Sequence, residues 1–162
     1  MALTPAQQTT VKAAILADPT LNAFPNTGDG NFDLAVYLSQ TVASPAFIVW
    51  RTNLPTSDVK KAIVWTEYIG STSVAERDAL NLIISNGIVN AADANVRQAF
   101  QTIFGSPQQA ITRANLVAIA KRSANIIEKI LATGTGSDAS PATMTHEGTV
   151  SGADVALARN LP

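Results

Sequence analysis

The chain has 162 residues and a mass of 16.9 kDa, the length of a single domain, enough to bury a core and too short for two substantial ones. Hydrophobic residues make up 46% and charged residues 14%, which excludes a disordered chain and leaves fewer charges than a water-facing surface usually carries, so something besides water is expected to cover part of it. Lys and Arg number 11 against 12 Asp and Glu, a net charge of -1 with nothing global to draw nucleic acid or an anionic membrane, while the lack of cysteine and the single histidine exclude disulfide frameworks, zinc fingers, iron–sulfur sites and thiol catalysis.

The opening residues MALTPAQQTTVK have no basic region leading into an apolar core, so no secretory leader is expected and a cytoplasmic origin is. Thr4-Pro5-Ala6-Gln7 combines an N-cap, a proline at the first helical position and a glutamine at N3. It predicts a helix over residues 5–17 with Val11 and Ile15 inward, stopped by Asp18-Pro19. After a turn-rich loop through Gly30, Asn31 is placed to cap a second helix whose inner face would carry Phe32, Val36 and either Tyr37 or Leu38. The apolar run 45–50 is read as a short helix.

Thr56-Ser57-Asp58 predicts a helix to about Ile69, with Val59, Ile63 and either Val64 or Trp65 inward and Gly70 as its stop. Ser73-Val74-Ala75-Glu76 is a capping box opening a helix with Leu80, Ile83 and Ile84, ended by Asn86-Gly87. Asn90 is expected to cap the next, where Val96, Phe100, Ile103 and Phe104 form one stripe. Ser106-Pro107-Gln108-Gln109 then starts what reads as the longest helix, unbroken to Ala132. Along it Ala110, Ala114 and Ala118 form a row of small residues that another helix could approach closely, although alanine also serves there simply as a good helix former. Lys121, Arg122, Glu128 and Lys129 interrupt the apolar run, so no membrane span is expected.

Beyond Leu131 the composition changes: of the nineteen residues 133–151, eleven are Gly, Ser or Thr, too few apolar groups for core. Residues 143–150 alternate weakly and suit a strand that needs a partner, and Ser151-Gly152-Ala153-Asp154 suits a short terminal helix. The expected fold is therefore all-α: a single helical domain of about six or seven helices over residues 1–132, with an extended C-terminal arm over 133–162 that adds a strand or hairpin.

No motif carries chemistry past its plainer reading. Asp29-Gly30-Asn31-Phe32-Asp33 begins like a calcium loop, but Leu34 stands where the glycine should be and Gln40 where the glutamate should be. Gly134-Thr135-Gly136 lacks the Lys-Ser/Thr of a phosphate loop and follows a helix. His146 is the sole imidazole, and Glu147 beside it would face the other way in an extended segment, so the two do not meet on one substrate atom. Trp50, Trp65 and Tyr68, with Arg51, Lys60 and Lys61 nearby, resemble a stacking surface, though packing explains them better. No catalytic, cofactor-binding or metal-binding residues are assigned.

The stretch SPAFIVWRTNLP from Ser44, and ITRANLVAIAKRSANIIEKILATGTGSDASPATMTHEGTVSGADVALARN from Ile111, together resemble a family of small virion proteins of tailed bacteriophages, over about residues 43–160. The most specific parts are Val49-Trp50-Arg51-Thr52, the Lys121-Arg122 pair, and Ala132 to Gly136 leading to Pro141-Ala142-Thr143 and Glu147-Gly148. The resemblance implies a non-enzymatic head–tail connector, or adaptor, at the neck of the particle. It would be made in the host cytoplasm and assemble as a homo-oligomeric ring of about twelve copies between the portal protein and a downstream neck or tail-terminator protein, with DNA passing through its channel without sequence recognition and with no membrane or cofactor. Alternatives are a tail-completion protein or a tail-assembly chaperone, and, from other classes, a helical DNA-binding regulator or a small hydrolase. Interface candidates are Arg51, Lys121, Arg122, Thr133, Gly134, Thr135, Gly136, Pro141, Thr143, Glu147 and Val150, the arm reaching a neighbour by strand addition.

Overall fold

The computed structural model describes residues 2–162 and is mainly α-helical. The elements in chain order are α1 (Pro5–Ala17), α2 (Pro19–Asn22), α3 (Gly28–Leu38), β1 (Ile48–Trp50), β2 (Leu54–Pro55), α4 (Thr56–Ala62), α5 (Trp65–Ser71) and α6 (Val74–Ile84). There follow β3 (Ile88–Val89), α7 (Ala94–Ile103), a 3-10 turn (Pro107–Gln109), α8 (Ala110–Ile119), β4 (Lys121–Ser123), α9 (Ile126–Leu131), β5 (Ala132–Thr133), β6 (Thr143–Met144) and α10 (Gly152–Arg159). The strands form three two-stranded pairs, β1 with β4, β2 with β3 and β5 with β6. The described residues thus hold 10 α-helices, more than the six or seven expected for the body, because two expected helices are interrupted and α2 and α10 are added, while the helix expected over 45–50 does not form.

The chain gathers into two compact units where its length suggested one domain: unit 1 from residues up to 49 together with Ser123–Pro162, and unit 2 from Trp50–Arg122. The core of unit 1 joins Val11 and Ile15 of α1, Leu21, Leu34 and Leu38, Ile127 and Leu131 of α9, and Val155 and Ala158 of α10. A smaller cluster in the same unit holds Val49, Ala124, Ala142 and Met144. Unit 2 is built around Leu54, Val59, Ile63, Leu80, Ile103, Phe104 and Leu116, with the Phe104 ring stacked on Phe100 at 6.3 Å and tilted against Tyr68.

Several helix starts follow from local chemistry. Thr4 Oγ1 accepts from the Gln7 N–H while Gln7 Oε1 accepts from the Thr4 N–H, and α1 spans the expected residues. Ser73 and Glu76 make the same reciprocal pair at α6, as do Ser151 and Asp154 at α10. Elsewhere the start differs. Thr27, one turn before Asn31, caps α3, and Asp93, not Asn90, caps α7, the Asn90 side chain accepting instead from the Ala92 N–H.

Longer-range contacts overturn the other expectations. The helix from residue 56 stops at Ala62, because Ile63 is extended, the Val64 N–H donates to Thr112 Oγ1, and Asn115 Nδ2 donates to the Ala62 carbonyl. Gly70 consequently lies inside α5 and stops nothing. The run 45–50 is no helix: Ile48 N–H donates to the Gly136 carbonyl, Ala142 N–H donates to the Ile48 carbonyl, and β1 results. The long helix from Ser106 to Ala132 is broken by β4 and restarted by an unrecognised capping box, in which Asn125 Oδ1 accepts from the Glu128 N–H and Glu128 Oε2 from the Asn125 N–H.

The segment 133–162 is not an arm lying outside a body that ends at residue 132. Thr143 and Met144 pair antiparallel with Thr133 and Ala132, Ala142 bridges to Val49, and α10 packs on α3 and α1. The expected strand over 143–150 is limited to its first two residues. Arg159, on the last turn of α10, donates to the carbonyls of Leu21, Phe24 and Pro25 and to Asn31 Oδ1. Burial lowers its pKa. At Gly136 the backbone has φ 66 and an added Cβ would overlap the Phe47 ring, so only glycine suits the position.

Candidate functional site

Unit 2 bears an apolar cleft of about 650 Å³ between α7 and α8. The stripe of α7 that was expected to face inward divides: Ile103 and Phe104 are buried, while Val96 and Phe100 are partly exposed and line the cleft. Opposite them, the Ala110, Ala114 and Ala118 row of α8 forms the second wall, with Val117 exposed beside it. Leu54, Val59 and Val89 form the floor, which the β2–β3 pairing of Leu54 with Val89 holds together.

Three cations stand on this cleft and no carboxylate does: Arg97, Arg113 and Lys121. The Arg97 guanidinium lies 4.7 Å from the centre of the Trp50 ring and donates to the carbonyls of Ala91 and Ala92. Arg113 donates to the carbonyls of Phe104 and Ser106 and so satisfies backbone oxygens at the end of α7. The hydrogen-bond acceptors of both guanidinium groups are neutral carbonyls, and the Glu67 carboxylate in addition interacts electrostatically with Arg113. The start of α8 is anchored by Glu67, whose carboxylate accepts from the Thr112 hydroxyl at 2.7 Å and the Thr112 N–H at 3.0 Å, holding its pKa below the usual glutamate range.

In unit 1, Glu128 is almost wholly buried and accepts from the N–H groups of Asn125 and Gly148, while Asn125 Nδ2 donates to the Gly148 carbonyl. This carboxylate ties the loop before α10 to the start of α9. Its capping spacing, Asn-x-x-Glu, is present in the sequence but was hidden inside an apparently continuous helix. His146 is also buried, and its Nε2 has no hydrogen-bond partner among the described residues.

The interface candidates fall into different environments. Arg51 is half-buried and used internally: its N–H donates to the Ala120 carbonyl, its carbonyl accepts from Ala91, and its guanidinium reaches the Ile119 carbonyl. Lys121 and Arg122 are half-buried in β4. Thr133, Gly134, Thr135 and Thr143 are exposed, and Pro141 and Glu147 are partly so. Gly136 and Val150 are buried, which makes them parts of the fold and not of an open face. Trp65 and Tyr68 meet edge to face at 5.4 Å, whereas Trp50 pairs with Arg97. Among the described residues no group of three or more His, Asp or Glu is arranged to hold a metal ion, and no helix is long and apolar enough to cross a membrane.

Fold and site define a mainly helical protein of two compact units, one bearing an apolar, basic-rimmed cleft. No protein-family model, curated protein or solved structure matches the chain.

Proposed function

We propose that the chain is a non-enzymatic structural component of a tailed-phage particle, a head–tail connector whose copies form a ring joining the portal to the tail. The observation that carries this reading is the apolar surface left open on ordered helices: Leu82 is 76% exposed, Val74 73% and Ile69 67%, in addition to the cleft. A monomer in water gains nothing from rigid apolar faces of this kind, whereas a subunit covers them in lateral contacts. The resemblance of residues 43–160 to small virion proteins supplies the particle.

In this reading the C-terminal stretch contributes through the exposed Thr133, Gly134, Thr135 and Thr143 around the β5–β6 pair, which offer small side chains and accessible backbone to a neighbouring strand. Counting copies in purified particles tests it. About twelve per particle supports the connector, about six a tail-completion protein, and none a chaperone that departs before maturation, which overturns the proposal.

A further inference from the structure

We propose that the cleft between α7 and α8 receives the outer face of helix α3 from a second copy of this chain, in a head-to-tail contact. The inference rests on the ring reading above and names the contact that builds the ring.

The donor face follows from an inversion on α3. Leu34, Ala35 and Leu38 are buried, so Phe32 and Val36 point outward, 62% and 50% exposed. Asp29 and Asp33 lie on the same face, at the one-turn spacings 29, 32, 33 and 36, and neither forms an ion pair among the described residues. The result is a helix of about 16 Å that presents two carboxylates interleaved with two large apolar side chains.

The cleft is the complement of that face in both respects. Its walls are apolar, its alanine row allows a helix axis to approach closely, and its charged groups are all cationic. Of the other apolar outward faces, Val74, Asp78 and Leu82 on α6 carry one carboxylate and Trp65 with Ile69 on α5 none, so both match a cationic rim less well. Because donor and receptor are different surfaces, each copy that fills one cleft leaves its own cleft open for the next. Such a contact propagates and closes into a ring when the rotation permits.

The test uses the full chain and two variants at exposed helical positions, Asp33→Lys on α3 and Ala114→Glu in the cleft, with circular dichroism confirming that both fold. In sedimentation, wild type should associate, each variant alone should associate about tenfold more weakly, and an equimolar mixture should regain association, because one variant keeps an intact cleft and the other an intact α3. Single variants that assemble like wild type, or a mixture no better than its parts, overturn this contact while leaving a ring built by other faces and its particle count unaffected. A wild-type chain that stays monomeric at millimolar concentration also overturns it, and titration with decanoate then reports whether a carboxylate amphiphile occupies the cleft instead.

Discussion

In unit 1 residues from the beginning and the end of the described chain share one core, whereas unit 2 is a single uninterrupted stretch. Unit 1 is fastened by polar groups reaching across most of the sequence. Arg159 holds the carbonyls of residues 21–25, Asp154 accepts from the Leu3 N–H, and Lys12 Nζ donates to the Leu161 carbonyl at 2.5 Å. Unit 2 closes through nearer neighbours and leaves Trp65, Ile69, Val74, Leu82, Ile88, Ile111 and Val117 exposed, against Leu16, Phe32, Val36 and Leu157 in unit 1. Long-range closure uses apolar and polar groups together. The locally closed unit leaves more of its large apolar side chains exposed.

Truncation after Ala132 should break this contrast most severely. It removes Met144, Val150 and Val155 from the core of unit 1, at about 2 kcal/mol each, a loss comparable to the whole stability of a small domain. Hydrogen exchange should show unit 1 unprotected, while protection in α7 and α8 persists. Phe104→Ala should act in the opposite sense, costing about 4 kcal/mol in unit 2 and leaving the slowest amides of α1 and α10 unchanged.

The polar fastening of unit 1 is open to a pH test. Burial opposes the charged form of Asp154, yet hydrogen bonds from the Ser151 hydroxyl and N–H and from the Leu3 N–H lower its pKa below the ordinary aspartate value. A depressed native pKa contributes stability above the unfolded value, about 4, that disappears as pH falls through the native one. Asp154→Asn should therefore cost about 2 kcal/mol at neutral pH and flatten the acid limb of the denaturation profile. The smallest effect is expected at α6, where Ser73→Ala removes a cap for about 1 kcal/mol, read as a shift in denaturant midpoint.

Helix starts were legible in the sequence at Thr4, Ser73 and Ser151, where donor and acceptor are three residues apart, but not at Thr27 or at Asn125, where the same spacing lies in a turn-rich loop or inside an apparently continuous helix. Interruptions were not, because their causes lie elsewhere in the chain: Thr112 and Asn115 break the helix after Ala62, and the pairing of β4 with β1 breaks the one after Ile119. α3 carries apolar residues on both sides, so its period could not decide between Phe32 and Val36 or Leu34 and Leu38. Packing of α10 decided it, with Gly152 lying against the Phe32 backbone. Of the cleft, the alanine row was readable. The Arg97 and Trp50 pair that shapes its rim depends on residues far apart in sequence.

The discontinuity of unit 1 sets an order of events on the ribosome. Its first 49 residues emerge long before α10, and at about 5–20 residues per second the wait lasts several seconds. Unit 2 is fully synthesised within that interval and can be native first. The apolar faces of α1 and α3 are covered by their native neighbours only once α9 and α10 have followed.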